Sequence, residues 1–143
     1  MARTEDQDIY RDFIIDLYRN PLNHGRMAGA DYHARLDNPT CGDRVEIFIR
    51  VRGGVVADAK FSGSGCAISQ ASASLLTGYL KGRTLASLHG ITEKEVLDLL
   101  KIDLSRNPGR LRCALLPLEA VRKALEARPA TLRMPGRRKP PAR

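Results

Sequence analysis

Apolar and polar residues alternate in three consecutive runs in the first half of the chain, and then the period changes. Val45, Ile47, Ile49 and Val51 alternate with Arg44, Glu46, Arg50 and Arg52, the period of a half-buried strand. Gly53-Gly54 then reads as a two-residue hairpin, and Val55, Ala57, Ala59 and Phe61 as the returning strand. Upstream, Tyr32, Ala34 and Leu36 alternate with His33, Arg35 and Asp37 in a short first strand. The pattern predicts an α+β fold: a three-stranded antiparallel sheet whose apolar face is covered by helices.

Helical spacing brackets this meander. Ile9, Phe13, Ile14 and Leu17 share one face after the capping-box sequence Thr4-Glu5-Asp6-Gln7, and the helix should stop at Asn20-Pro21. Asn23 to Ala30 reads as a loop. Beyond Phe61, Ile68, Ala71, Leu75, Leu76 and Tyr79 predict a helix from Cys66 to about Leu80. Lys81 to Thr84 is a polar break. Thr92 to Glu95 is a second capping box, with Ile91 and Val96 spaced as a hydrophobic staple. Asn107-Pro108-Gly109 reads as an interruption before a last helix marked by Leu115, Leu118, Val121 and Leu125. Pro117 is expected in its first turn and Cys113 just ahead of it. No internal repeat is visible.

Composition narrows the classes. The 143 residues and 43% hydrophobic content suit one soluble globular domain with a real core. No apolar run is long enough to span a bilayer, and the N-terminus carries acids instead of an apolar signal core. Three cysteines without a secretory signal point to a reducing cytoplasm and to free or metal-bound thiols. Six of the basic residues behind the net charge of +8 lie between Arg128 and Arg143, where there are no acids. The expected organisation is therefore a near-neutral domain over 1–127 and a basic, proline-rich, disordered tail over 128–143 that serves solubility. With 5% aromatic residues and no recognition motif, a nucleic-acid-binding zinc module ranks last among the readings.

The candidate chemistry lies at element ends. Cys41 stands in the loop Asn38-Pro39-Thr40-Cys41-Gly42-Asp43 before the second strand. Cys66 opens a helix after Phe61-Ser62-Gly63-Ser64-Gly65, where a helix N-terminus favours negative charge. A single such cysteine would read as a small buried apolar residue. The hairpin, however, brings both ends of its strands to one side of the sheet, and Cys113 is the third thiol. None has Cys-x-x-Cys spacing, so spacing alone says little about metal; Asp43 could complete a tetrahedral set with three thiolates. His24, His33 and His89 read as ordinary surface or turn residues, and Arg110 and Arg112 as a solvated pair. Ser69, Ser72 and Ser74 suit a close-packed helix face.

Those two cysteine motifs together resemble the IscU/SufU (NifU-like) iron–sulfur assembly family over roughly residues 8 to 127, including a similar opening helix, Tyr10 to Pro21. The resemblance implies metal ligands at Cys41, Asp43, Cys66 and Cys113. Arg112 stands where cluster-building IscU proteins carry a histidine, and Asn107 to Leu111 lacks their Leu-Pro-Pro-Val-Lys chaperone motif. Both features, with the run from Asp58 to Cys66, resemble the SufU branch, although the Cys66–Cys113 stretch is shorter than that branch usually carries. The SufU likeness implies a zinc-dependent sulfur-transfer protein. It would accept persulfide sulfur on Cys41 from a SufS-type cysteine desulfurase, engaged by Arg110, and serve downstream iron–sulfur assembly proteins. A histidine of the desulfurase would displace Cys41 from the metal. The alternative is a scaffold on which a [2Fe–2S] cluster is built with the same ligands.

Overall fold

The computed structural model describes residues 5–39, 42–104 and 106–126, with side chains in the first helix from Arg11 onward. Thr4, the leading residue of the first capping box, and the stretch 128–143 lie outside the described residues. In chain order the elements are α1 (Glu5–Arg19), β1 (Tyr32–Asn38), β2 (Asp43–Arg52), β3 (Val55–Ser64), α2 (Ala67–Leu80), α3 (Leu85–Leu88), α4 (Glu93–Leu100) and α5 (Pro108–Glu126).

The three strands form an antiparallel sheet in the order β1-β2-β3, as the alternation predicts. Val45, Ile47, Ile49, Ala59 and Phe61 are fully buried on the face that packs against α2 and α5. Each of the valine, isoleucine and phenylalanine side chains stabilises the fold by roughly 1.5–3 kcal/mol through removal from water. The opposite face carries Glu46, Arg50 and Lys60, with Phe48 buried there under the ring of His33 and the guanidinium of Arg26.

The return strand departs from strict alternation. A register shift between Arg50 and Val51 pairs Val51 with Val56, leaving Ala57 as the extra residue of a bulge. One inserted residue exchanges the faces, so Val56 enters the core while Val55 and Ala57 are exposed. The free edge of β3 is covered at its middle by the 23–25 segment, where the Gly25 N–H donates to the Phe61 carbonyl at 2.8 Å and Phe61 donates to Asn23 at 3.0 Å.

The helix α2 runs through the centre, between the sheet, α1, α4 and α5. Its polar residues are small enough to pack: Ser69, Ser72, Ser74 and Thr77 are all buried, and Ser72 Oγ donates to the Ala114 carbonyl of α5 at 2.6 Å. Thr92 and Glu95 form the expected capping box at α4, and Ile91 and Val96 are both buried in the core cluster. The short α3, capped by Thr84, fills the stretch after the polar break and was not legible as a helix in the sequence.

The last helix starts earlier than its apolar spacing predicts. Asn107-Pro108-Gly109 is its entrance: Asn107 Oδ1 accepts from the Arg110 N–H at 3.1 Å, and proline occupies the first helical position, where no N–H is needed. Cys113 therefore lies inside α5, and Pro117 lies in the helix interior, not in its first turn. Among the described residues no helix is long and apolar enough to cross a membrane.

Candidate metal centre

The site is assembled where β2 begins, β3 ends and two helices converge. Asp43 is the first residue of β2 and pairs with Asn38, the last of β1. One step further, Arg44 pairs with Ser64, so β3 delivers the chain to Gly65 and Cys66 directly beside Asp43. Cys66 is the N-cap of α2, with extended backbone, and its thiol makes no capping hydrogen bond.

Two glycines permit this closeness. A Cβ on Gly63 would strike the Arg44 carbonyl, and one on Gly65 would strike the Asp43 carboxylate. Gly65 also holds φ at +151°, a region that favours glycine. The space saved is occupied by Asp43, which is only 2% exposed. A buried carboxylate needs partners. Asp43 Oδ1 accepts the Cys66 backbone N–H at 2.8 Å, and Oδ2 lies 3.8 Å from Cys66 Sγ.

Cys113 joins from α5, buried at 3% exposure. Pro117, four residues on, has no N–H to give to the Cys113 carbonyl, so the regular helical bond is missing at this residue. A carboxylate oxygen of Asp43 and the sulfurs of Cys66 and Cys113 all lie within 4.8 Å of one another. Zinc–sulfur bonds of about 2.3 Å in a tetrahedron separate neighbouring ligand sulfurs by about 3.8 Å, so these donors need only small side-chain adjustments. Two soft thiols and one carboxylate fit zinc, with a fourth position left to fill.

Of the four ligands expected from the sequence, the structure thus brings Asp43, Cys66 and Cys113 together. Cys41 lies outside the described residues. The described residues on either side of it are close together: Asn38 pairs with Asp43, and the Gly42 N–H donates to the Asn38 carbonyl at 2.7 Å. A cavity of about 450 Å³ adjoins the thiols, lined by Asn38, Cys66, Asn107, Arg110, Arg112 and Cys113. Arg110 and Arg112 are therefore at the site's mouth. Sequence reasoning missed Asn38, which is 7% exposed, and the capping role of Asn107; a buried asparagine and an Asn-Pro pair ahead of a helix were the available signals.

The histidines lie elsewhere. His24 packs edge-on against Phe61, with ring centroids 5.2 Å apart. His33 Nε2 is 2.6 Å from Glu46 on the outer sheet face. Burial pushes the Glu46 carboxyl up, but hydrogen bonds from His33 and Arg26 outweigh it and hold the group below its ordinary range. Neither His24 nor His33 belongs to the metal-capable group.

Against this geometry, residues 9–132 match the family described as NifU-like N terminal domain. The chain belongs to that family. Among relatives of this NifU-like domain, the zinc-dependent sulfurtransferase SufU of Bacillus subtilis (strain 168) is 35% identical, covering 82% of this chain and 89% of its own length. The iron–sulfur cluster assembly scaffold protein IscU of Azotobacter vinelandii is 33% identical, covering 81% of this chain and 91% of its own. A crystal structure named for an iron–sulfur cluster assembly scaffold of the SUF system, from Fervidobacterium islandicum AW-1, superposes with a TM-score of 0.69. It is 28% identical and covers 83% of this chain and 98% of that one.

Proposed function

We propose that this NifU-like chain serves iron–sulfur cluster assembly as a zinc-dependent sulfur-transfer protein. One observation carries the reading: a buried carboxylate and two thiols from three separate elements lie within 4.8 Å, beside a cavity with two arginines at its mouth. The 35% identity to a zinc-dependent sulfurtransferase supports it. Asp43, Cys66 and Cys113 would hold the ion, with Cys41 as the fourth ligand. When bound, zinc supplies redox-inert charge that keeps its thiols deprotonated.

The protein's own residues divide the work. Asp43 holds the Cys66 amide through one oxygen and presents the other to the thiols, so it is both clamp and ligand. Cys66 and Cys113 are fixed by the start of α2 and the body of α5. Cys41, in a short loop bearing Gly42, is the proposed acceptor. Its thiolate attacks the terminal sulfur of a persulfide on a SufS-type cysteine desulfurase. A new S–S bond forms on Cys41, and the partner's S–S bond breaks. The bond electrons leave with the desulfurase thiolate, and no net oxidation occurs. Arg110, at the cavity mouth, engages that partner.

A single turnover with desulfurase and cysteine, followed by mass spectrometry, tests the assignment. The reading expects one added sulfur on Cys41 and none with Cys41→Ala. A second reading, a scaffold for a [2Fe–2S] cluster, draws on the 33% identity to an IscU. Sulfur on Cys113 with Cys41 unmodified, or visible iron absorption in the purified protein, would favour it.

A further inference from the structure

Arg112 lines the thiol cavity beside Arg110, and the sulfur transfer proposed above gives it no task. Both guanidinium groups are on exposed residues, and neither makes an ion pair or hydrogen bond among the described residues. No aspartate or glutamate lines the cavity. The buried carboxylate of the metal-capable group, Asp43, is already engaged by the Cys66 amide. Two uncompensated cations therefore stand over two thiols.

The surrounding chain strengthens that charge. Pro108 and Gly109, the first residues of the long helix α5, belong to the same wall, and the positive end of the helix dipole adds to the guanidiniums. The volume of about 450 Å³ falls among small-molecule sites, which span about 300–1,000 Å³. The wall also includes Asn38, the last residue of β1, from which the chain continues toward Cys41. A molecule filling the cavity thus lies beside Cys66, Cys113 and one anchor of the segment that carries Cys41.

We infer that this cavity takes a small anionic thiol, with the size and charge of a cysteine-containing peptide bearing two carboxylates, as acceptor of the sulfur carried on Cys41. The inference rests on the sulfur-transfer reading and names the class of molecule that empties the site. Its carboxylates sit on Arg110 and Arg112, whose planar forks match them. Arg110 serves the desulfurase first and the small acceptor once that partner has left. The small thiol gives its proton to solvent, and its thiolate attacks the terminal sulfur of the Cys41 persulfide. A new S–S bond forms to the small molecule, and the S–S bond on Cys41 breaks. That bond's electron pair stays on Cys41 as thiolate, while the persulfide proton stays on the transferred sulfur. The products are a small persulfide and a regenerated Cys41, with no net oxidation and no further reactant.

Two measurements on the full zinc-loaded chain test this, with γ-glutamylcysteinylglycine as the anionic thiol. Calorimetry with its S-methyl form, which cannot react, should show saturable binding by protein that carries no sulfur. Arg112→Gln should weaken that binding about tenfold at low salt, and the gap should shrink as salt is added. Arg112→Lys, which keeps the charge, should lose less, and Arg52→Gln, at the last residue of β2, should bind as wild type does. The protein is then charged by desulfurase and cysteine, separated from desulfurase, and mixed with the peptide thiol or with neutral 2-mercaptoethanol. The peptide should remove sulfur about tenfold faster per thiolate, with a rate that saturates, and Arg112→Gln should abolish the advantage. Zinc content and melting temperature should match wild type in all three variants.

Failure of wild type to bind the S-methyl peptide, equal rates for the two thiols, or an advantage kept by Arg112→Gln would each overturn the acceptor assignment. Loss of zinc from Arg112→Gln would do the same, because it would make Arg112 a support of the metal centre. Wild type that binds the S-methyl peptide but takes no sulfur from desulfurase would overturn the sulfur-transfer reading instead, leaving an anion site without an acceptor role.

Discussion

The larger of the two apolar clusters joins the sheet to the middle of α2 and α5, and its buried members, from Val45 to Val121, include no cysteine. The smaller gathers Ile14, Leu17, Ile68, Ala71, Leu100 and Leu104 around Cys113, with Cys66 packed against it. The first is built from long strand and helix runs that bury apolar surface by themselves. The second is a seam between α1, the ends of α2 and α4, and the start of α5, and it contains two of the candidate ligands. Stability and chemistry are thus separated in space. The proposed sulfur transfer requires the site to open while the protein stays folded, and this arrangement suits it, because the seam can loosen while the larger core holds the domain together.

The largest effect is expected from damage to the larger cluster. Phe61→Ala removes a fully buried ring and should cost about 3–5 kcal/mol. Urea titration should then show a shifted midpoint, with probes in both clusters moving together. Independent transitions would mean the seam does not depend on the core.

Gly65→Ala should act on the smaller cluster and its ligands instead. Its Cβ meets the Asp43 carboxylate at a φ of +151°, a strain of about 1–3 kcal/mol. Zinc per chain should fall well below wild type while the larger cluster keeps its hydrogen-exchange protection. Full zinc occupancy in this variant would remove the close-packed turn from the account of the site.

The smallest effects are expected at α4, which carries no candidate ligand. Thr92→Ala deletes a cap and should cost about 1 kcal/mol with zinc content unchanged. Glu95 accepts hydrogen bonds first from the Tyr79 hydroxyl and then from Thr92, and these hold its carboxyl below the ordinary 4.5. A depressed carboxyl contributes stability above that ordinary value and loses it as pH falls through the lower, folded value. The melting-temperature gap between wild type and Tyr79→Phe should therefore be constant from about pH 5 to neutrality and close below pH 4.5. A gap that widened in acid would reverse the assignment.

The same division explains what was legible in the sequence. The larger cluster announces itself through the alternation of Val45, Ile47 and Ile49, the Gly53-Gly54 turn and the spacing of Leu118 and Val121. It misleads only at Val55 and Ala57, because the bulge is set by pairing with β2 and leaves no mark on either strand alone. The seam is harder to read. Asn107-Pro108-Gly109 carries the residues of a break and those of a helix entrance alike, and only packing chooses between them. Pro117 reads as first-turn for the same reason. Asp43, Cys66 and Cys113 are legible as candidates through their motifs. Their proximity is a product of strand register and helix packing, which no local pattern encodes.

The group formed by Asp43, Cys66 and Cys113 at the edge of the smaller cluster is proposed to be a metal centre. Metal content per chain, measured on the purified full-length protein alongside Cys66→Ser, Cys113→Ser and Asp43→Ala, tests it most directly. One zinc per wild-type chain is expected, with a large loss in both cysteine variants, a more exchangeable ion with Asp43→Ala, and cooperative unfolding retained throughout. Zinc that stays at wild-type level when Cys66 and Cys113 are replaced would contradict it.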